Sequence, residues 1–212
     1  MTLSIPALAD EVREQVQSSL DAVDALYQDL HRMPELSFQE HQTGARLARE
    51  LQQLGYEVGA QVGGTGVVGL LRNGEGPTVM LRSDTDALPI KEDTGLDFAS
   101  QVTAKNARGE EVPVMHACGH DLHSSCLVGA ADVLMRMRER WRGTVMWVCQ
   151  PAEELFGGAR AMLDDGLYER FARPDVVLGQ HNMPGLAGTV GHKAGLAMAA
   201  ATTLGVTIHG AG

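Results

Sequence analysis

The chain has 212 residues, of which 44% are hydrophobic and 21% charged, a composition that excludes a disordered or fibrous protein and allows one packed domain. With 17 basic and 27 acidic residues its formal net charge is −10, and it has no run of lysine or arginine, which argues against a nucleic-acid partner. Acidic residues interrupt the first thirty positions and no apolar run approaches the ~20 residues that span a bilayer, so we predict no secretory signal, no membrane segment and a cytoplasmic location.

The first part of the chain is predicted to be helical and then to change to strands. Apolar residues recur at steps of three and four from Leu8 to Leu30, which predicts an amphipathic helix that ends near Met33 and Pro34. A second helix is predicted from about residue 40 to residue 54, with Gly55 as its stop signal. Short β-branched runs then predict strands over residues 56–62, 67–71 and 78–82, two of which form a hairpin.

The remainder of the chain alternates between strand and helix patterns. Residues 89–115 are polar with little periodicity, which is long for a structureless connection and indicates a functional loop. Helices are predicted over residues 121–140 and 158–171, and strands over residues 144–149, 175–179 and 202–209. This alternation predicts an α/β fold whose sheet is covered by helices on both faces.

Polar residues cluster directly after three of the predicted strands. Asp84 and Asp86 follow the strand over residues 78–82. Glu153 and Glu154 follow the strand over residues 144–149, and His181 follows the strand over residues 175–179. Ligands of open α/β sheets bind outside the carboxyl ends of the strands. We therefore expect these side chains to converge on one site.

The densest chemical stretch is the segment from His116 to His123, which holds three histidines, a cysteine and an aspartate in eight residues. Thiolate, imidazole and carboxylate groups are the ligands of zinc and its first-row neighbours, so the segment favours a metal site. Two alternatives stay open on this segment alone. Cys118 could be a thiol nucleophile paired with a histidine, or the segment could be a structural polar turn.

Adjacent carboxylates after a strand favour the same interpretation. Glu153 and Glu154 repel each other unless a cation lies beside them, and one can bind metal while the other acts as a base. The alternative is an exposed acidic turn at the start of a helix, where the helix dipole favours anions. His181, considered alone, is as well explained as an ordinary core or surface histidine, and His31 receives no functional role.

The two remaining cysteines are predicted to be structural. Three cysteines in all are too few for a disulfide framework, so reduced thiols are expected. Cys126 lies on the apolar side of a predicted helix and Cys149 inside a predicted strand. Both are therefore predicted to be packed small side chains.

Taken together, these motifs resemble the amidohydrolase branch of the aminoacylase-like co-catalytic metallopeptidases, which includes hippurate hydrolases, N-acetyl-diaminopimelate deacetylases and indole-acetyl-amino-acid hydrolases. The resemblance extends over essentially the whole chain in the expected order. The matching blocks are residues 31–35, Arg82-Ser83-Asp84-Thr85-Asp86-Ala87-Leu88-Pro89, residues 116–123, Gln150-Pro151-Ala152-Glu153-Glu154, residues 157–159 and residues 181–184.

This resemblance implies a fold and a set of site residues. The implied fold is a three-layer α/β/α zinc-peptidase-like catalytic domain with a mixed central sheet. Glu153 would be the general base, and Asp86 would steady the metal site and take part in catalysis. Asp84, where distant relatives carry a histidine ligand, is left unassigned. The implied metal ligands are Cys118, His120, Glu154 and His181.

The resemblance also implies cofactors, a substrate and a domain plan. Two divalent ions per subunit are expected, Mn or Zn first, with Co or Ni acceptable. The substrate would be an N-acyl amino acid or a small peptide. Alternatives are a dipeptidase or carboxypeptidase of the same family, a cysteine hydrolase that uses Cys118, and an inactive metal-binding fragment. Residues 1–200 would be the N-terminal part of the catalytic domain, and residues 201–212 would be the first strand of a lid domain. The rest of the lid domain and the last histidine ligand would be absent from this sequence. The whole protein would form a homodimer through the lid domain.

Overall fold

The computed structural model describes residues 5–196, 204 and 206–210 of the chain. By their internal contacts the residues form two compact units, Met1–Asn182 and Met183–Gly212. All helices and strands that the structure describes lie in the first unit. The described residues of the second unit include a few bends and turns and no helix or strand. The domain boundary predicted near residue 200 stays a prediction.

The long helices follow the sequence patterns closely. The first begins at Ile5, buries Leu26 and Leu30, and ends at Arg32, because the residue before Pro34 is disfavoured in a helix. The second ends before Gly55, whose φ of +91° suits glycine in this position after a helix. The helices are α1 (Ile5–Arg32), α2 (His41–Gln53), α3 (His120–Arg136), α4 (Gly158–Asp164) and α5 (Leu167–Arg170).

Five strands form a mixed sheet, as predicted. The strands of the chain are β1 (Glu57–Val62), β2 (Gly66–Asn73), β3 (Thr78–Asp84), β4 (Thr103–Lys105), β5 (Glu111–Pro113), β6 (Gly143–Gln150) and β7 (Val176–Gly179). The sheet has the order β1-β2-β6-β3-β7; β6, β3 and β7 are parallel, whereas β2 is antiparallel to both β1 and β6. The hairpin of the sheet is formed by β1 and β2, whereas β2 and β3, on either side of the turn at residues 73–77, do not pair because β6 lies between them.

Helices cover both faces of the sheet, which makes the fold three-layered. On one face α1, α2 and α3 pack against side chains that include Trp147 and Cys149, both 0% exposed. On the other face Met162 of α4 and Leu167 of α5 pack against Met146. Burying a side chain of this size stabilises a fold by roughly 1.5–3 kcal/mol, so the long apolar strand β6 anchors both layers.

Several predicted elements were wrong in detail. The helix predicted over residues 158–171 is two short helices, because Gly166 adopts a φ of +80° between them. The helix predicted to reach residue 140 ends at Arg136 and continues as a 3-10 turn over Arg138–Arg140. The predicted loop over residues 89–115 contains the small antiparallel hairpin β4–β5. Cys149 is buried as predicted, whereas Cys126 is exposed.

Two further expectations concern the membrane and the last strand. Within the described residues, every helix is too short or too polar to cross a bilayer. The strand predicted over residues 202–209 falls partly on residues 202, 203 and 205, which lie outside the described part of the chain. Its described positions, 204 and 206–209, are not in a strand.

Candidate metal centre at the carboxyl ends of the parallel strands

The three parallel strands end at one edge of the sheet. Their register pairs Asp84 at the end of β3 with Gln150 at the end of β6, and Arg82 with Gly179 at the end of β7. The segments that follow these strands therefore start side by side, as the sequence predicts. The amino-terminal end of α3 reaches the same edge and contributes His120 and His123.

His120 is the central side chain of this edge. It is 0% exposed, and its Nε2 atom lies 3.7 Å from Asp84, 3.8 Å from Glu153 and 3.9 Å from Glu154. Its Nδ1 atom lies 3.4 Å from Asp86 Oδ1. Burial lowers the pKa of His120. The surrounding carboxylates, Asp86 first, raise it by a larger amount, so the pKa lies above its ordinary value.

The donor atoms form two overlapping clusters that share His120. One contains Cys118, His120 and Glu154, and the other contains Asp84, His120, His123 and His181; in each cluster all donor atoms lie within 4.8 Å of one another. Among the described residues, both nitrogens of His120 and Glu154 Oε1 are buried without a hydrogen-bond partner. Because unpaired buried polar atoms are costly, this set of thiol, imidazole and carboxylate donors fits a divalent metal.

Cys118 has the environment of a ligand and not of an isolated nucleophile. Burial and the nearby carboxylate of Glu154 raise the pKa of the half-buried thiol to about 12. Its Sγ atom lies 3.4 Å from His181 Nε2. Reactive cysteines need a positive environment that lowers the thiol pKa, whereas a bound cation would deprotonate this thiol. The contact with His181 is compatible with a cysteine nucleophile, but the raised pKa of the thiol argues against that alternative.

Asp84, which the sequence left unassigned, organises a buried hydrogen-bond chain. His123 Nδ1 donates to Asp84 Oδ1 (2.6 Å), and the backbone N–H of Asn182 donates to His123 Nε2 (3.0 Å). Burial raises the pKa of Asp84, but the bond from His123 and the charges of His120 and Arg82 outweigh it and bring the pKa to about 2. Both nitrogens of His123 are thus engaged, so this histidine positions its neighbours and is not a free ligand.

The hydrogen bonds that start at Asp84 end at Asn182, which is the neighbour of His181. The rings of His123 and His181 lie 4.4 Å apart between centroids, and Asn182 packs against Gly119, where a Cβ atom would lie 2.7 Å from the Asn182 amide. His181 itself is exposed, and its Nδ1 atom lies 2.7 Å from the Asn182 carbonyl. The imidazole of His181 therefore contacts Asn182 through Nδ1 and Cys118 through Nε2.

Asp86 holds the turn that carries the two glutamates. Its carboxylate accepts the backbone N–H of Glu153 (2.9 Å), the N–H of Glu154 (3.0 Å) and the hydroxyl of Ser37 (2.6 Å). Burial raises the pKa of Asp86, but His120, Ser37 and these two amides lower it below its ordinary value. Asp86 thus connects His120 to the backbone of both glutamates.

Glu153 and Glu154 are half-buried and face His120. Their side chains are 31% and 23% exposed. Burial and the charge of Glu153 raise the pKa of Glu154, which is the expected behaviour of two like charges held together. They precede Gly158, the first residue of α4, by several residues, so an exposed acidic turn at the start of a helix does not describe them.

Two groups near this edge were missed by sequence reasoning. His31 at the end of α1 is buried, with Nδ1 2.6 Å from Asp121 and Nε2 3.0 Å from Glu92. Glu40 is 0% exposed and accepts the backbone N–H of Ala152 (2.8 Å). No local pattern indicates these partners, because they lie 61 to 112 residues apart in the sequence.

His116 departs from the expectation raised by its segment. It is buried, belongs to neither donor cluster, and burial lowers its pKa to about 4. Its two ring nitrogens have no hydrogen-bond partner in the part of the chain that the structure describes. The segment from His116 to His123 therefore contributes Cys118, His120 and His123 to the donor clusters, and both ring nitrogens of His123 also have hydrogen-bond partners.

Comparison with known proteins gives a consistent family. Residues 80–209, more than half of the chain, match the profile of peptidase family M20/M25/M40. An N-acetylcysteine deacetylase of Bacillus subtilis is 40% identical over 87% of this chain and 46% of its own length, and thermostable carboxypeptidase 1 of Saccharolobus solfataricus is 35% identical over 97% and 50%. A crystal structure of a dinuclear metal-binding M20 peptidase from Bacillus subtilis is 37% identical, with a TM-score of 0.70 over 80% of this chain and 45% of that chain.

These relatives agree with the fold and with the chemistry of the donor clusters, and the resemblance noted in the sequence is confirmed. The chain spans about half the length of the curated relatives it matches. With a mixed three-layer fold, convergent metal-type donors and a family match over more than half of its residues, the chain belongs to peptidase family M20/M25/M40.

Proposed function

We propose that the protein carrying this chain hydrolyses the amide bond of N-acyl amino acids with the help of divalent metal ions. The observation that carries the proposal is the buried, unpaired imidazole of His120 among the carboxylates of Asp84, Glu153 and Glu154. Such a group is costly unless a cation completes it. The relative that deacetylates N-acetylcysteine supports an N-acyl amino acid as substrate.

In this proposal Cys118, His120, Glu154 and His181 would hold two divalent ions. The dinuclear relative supports the number, and the donor types accept Mn or Zn first and Co or Ni as alternatives. The bound ions would supply Lewis-acid polarisation of the scissile carbonyl and make water acidic enough to be a nucleophile near neutral pH. The chain's own residues then have to move one proton and hold the geometry.

Glu153 would be the group that moves the proton. Its half-exposed carboxylate lies beside His120 and remains accessible to water. It would accept the proton of the attacking water and donate it to the leaving nitrogen. Asp86 would keep that carboxylate in place by accepting hydrogen bonds from the two backbone N–H groups, and its charge, 3.4 Å from His120 Nδ1, would hold the imidazole electrostatically.

Replacing Glu153 by Gln tests the proposal directly. We expect turnover to fall by about 10²–10⁴-fold, because the proton acceptor is lost while the donor clusters stay intact. The measurement is hydrolysis of a panel of N-acetyl amino acids by the whole protein, with metal content determined by mass spectrometry. The exposed Glu139→Gln variant is the matched control, and a Glu153→Gln variant that hydrolyses the panel at the wild-type rate would refute the assignment.

A second candidate is cleavage of peptides by the same site. The 35% identical thermostable carboxypeptidase favours it. Dipeptides and N-blocked dipeptides in the same panel separate the two, because a peptidase would cleave them faster than N-acetyl amino acids. Metal retention without cleavage of any panel member would favour the remaining alternative, a metal-binding protein. The lid domain, the homodimer and the cytoplasmic location stay predictions.

A further inference from the structure

The turn that carries the two glutamates is held by carboxylates on both sides. It follows β6 and spans residues 151–154; we refer to it as the 151–154 turn. Three successive backbone N–H groups of this turn donate to buried carboxylates: Ala152 to Glu40 (2.8 Å), Glu153 to Asp86 (2.9 Å) and Glu154 to Asp86 (3.0 Å). Asp86 is part of the site already described, whereas Glu40 lies outside it.

Ala152 is the unusual residue of the turn. It is 0% exposed and adopts a φ of +46°, a left-handed conformation that is unfavourable for a residue with a Cβ atom. The chain then passes so close to the turn that a Cβ on Gly158 would lie 1.5 Å from the Pro151 carbonyl oxygen. A buried N–H in such a tight turn needs an acceptor, and Glu40 is the acceptor present.

Glu40 is itself firmly held. It immediately precedes α2, and its second oxygen accepts the hydroxyl of the buried Thr65 between β1 and β2 (2.6 Å). Burial raises the pKa of Glu40. The hydrogen bonds from Thr65 and Ala152 lower it by less, so the pKa stays above its ordinary value. Glu40 thus connects α2, the β1–β2 turn and the 151–154 turn through one side chain.

We propose that Glu40 is a positioning residue for Glu153, through its bond to Ala152 N–H. By holding Ala152 in the left-handed conformation it sets the direction in which the next residue leaves the backbone, and therefore where the Glu153 carboxylate lies relative to His120. The proposal rests on the proposed function of Glu153 as the base. Glu40 makes no hydrogen bond to the donor clusters that the structure describes, but Glu154 lies on the same turn, so its effect has to be measured as turnover at saturating metal.

Two substitutions of Glu40 in the whole protein separate positioning from packing. Glu40→Met keeps most of the volume but leaves Ala152 N–H without an acceptor; we expect kcat to fall about 10- to 100-fold at saturating metal, with KM within about 3-fold of wild type. Glu40→Gln can still accept from Ala152 with its carbonyl and donate to Thr65 with its amide. It should therefore restore kcat to within about 3-fold of wild type.

Glu35→Met is the matched control. Glu35 belongs to the same segment and accepts the N–H of Gln42 (3.1 Å) and Thr43 (2.8 Å) at the start of α2, with no bond to the 151–154 turn. We expect Glu35→Met to lower Tm and to leave kcat unchanged. Equal losses of kcat in Glu35→Met and Glu40→Met, or wild-type kcat in Glu40→Met, would overturn the positioning role.

A third variant decides the question if Glu40→Met does not fold. Glu40→Asp keeps the charge but withdraws the carboxylate from Ala152 by one methylene, and its kcat should also fall by about 10-fold. Wild-type kcat in Glu40→Asp would overturn the proposal. Glu153→Gln separates the two hypotheses: if it keeps turnover, the proposed function fails, and if it loses turnover while the Glu40 variants do not, only the positioning role fails.

Discussion

Two regions of the sheet supply side chains to the same site and differ in how deeply they are buried. One region is the ends of β3 and β6, and the other is the end of β7. Asp84 and Asp86, at the end of β3, are 0% and 1% exposed, and helices cover both faces of the sheet at β6. On β7, by contrast, Val177 is 55% exposed and the following His181 is exposed as well. The first region is preorganised by its core, whereas the second depends on a few hydrogen bonds.

This contrast divides the candidate ligands by how firmly they are held. His120 lies between buried carboxylates, while the exposed His181 is held by the ring of His123, the carbonyl of Asn182 and the thiol of Cys118. A site of this kind has one rigid half and one adaptable half. Substitutions in the two halves should therefore differ in severity.

The largest effect is expected from the rigid half. His120→Asn removes the only histidine shared by both donor clusters of the described chain, so both metal retention and turnover should be lost. The loss should exceed the ~10–100-fold cost of removing a partner outside the ligand set. His181→Asn, which affects one cluster, should retain part of the metal. Metal content after gel filtration measures the difference.

His116→Asn is the control for that comparison. His116 is buried in the same segment as His120 but belongs to neither donor cluster. We expect His116→Asn to keep its metal. Equal metal retention by His120→Asn and His181→Asn would contradict the division into two halves.

A smaller effect is expected from the hydrogen bonds that connect His31 of α1 to the rigid half. His31 bonds Asp121, the residue after His120, and Glu92; these carboxylates outweigh burial and raise the pKa of His31 from 6.5 to about 9. His116 and Tyr27 are the other titratable groups that face this cluster. Because the folded pKa is raised, the stabilisation is complete below about pH 6.5 and is lost as the pH rises through about 9.

The measurement is the free energy of unfolding against pH for wild type and His31→Asn. The wild-type protein should lose on the order of 2 kcal/mol more than the variant between pH 6.5 and pH 9. Their difference isolates His31 from other groups that titrate in this range. Parallel curves for the two proteins would show that the Asp121 and Glu92 contacts do not stabilise the protonated imidazole.

The smallest effect is expected from the adaptable half. His123→Asn breaks the connection from Asp84 to Asn182, so His181 should lose its orientation and metal affinity should fall by about 10-fold. Ser125→Ala is the control, because Ser125 is buried on the same helix but bonds only the carbonyl of Asp121. Equal metal affinity in both variants would mean that Asn182 holds His181 without His123.

Elements that depend on local sequence signals were predicted correctly, whereas features that depend on packing between distant residues were not. The periodicity of α1 and the β-branched runs of the strands are local signals, and the elements they predict are present. The break at Gly166 and the exposure of Cys126 were missed, since a helical pattern does not reveal whether one glycine interrupts the helix or how much of a helix face its neighbours cover. The convergence at one sheet edge was predictable because parallel strands end together.

The sequence by itself determined the family, the mixed α/β fold and the kinds of donor that meet at the strand ends, since these depend on residue type, periodicity and strand direction. Only the tertiary structure decided that Asp84 engages His123, that His31 bonds Asp121 and that Glu40 holds Ala152. These contacts join residues 39 to 112 positions apart, and each forms only because a buried polar atom must find a partner within the packed chain.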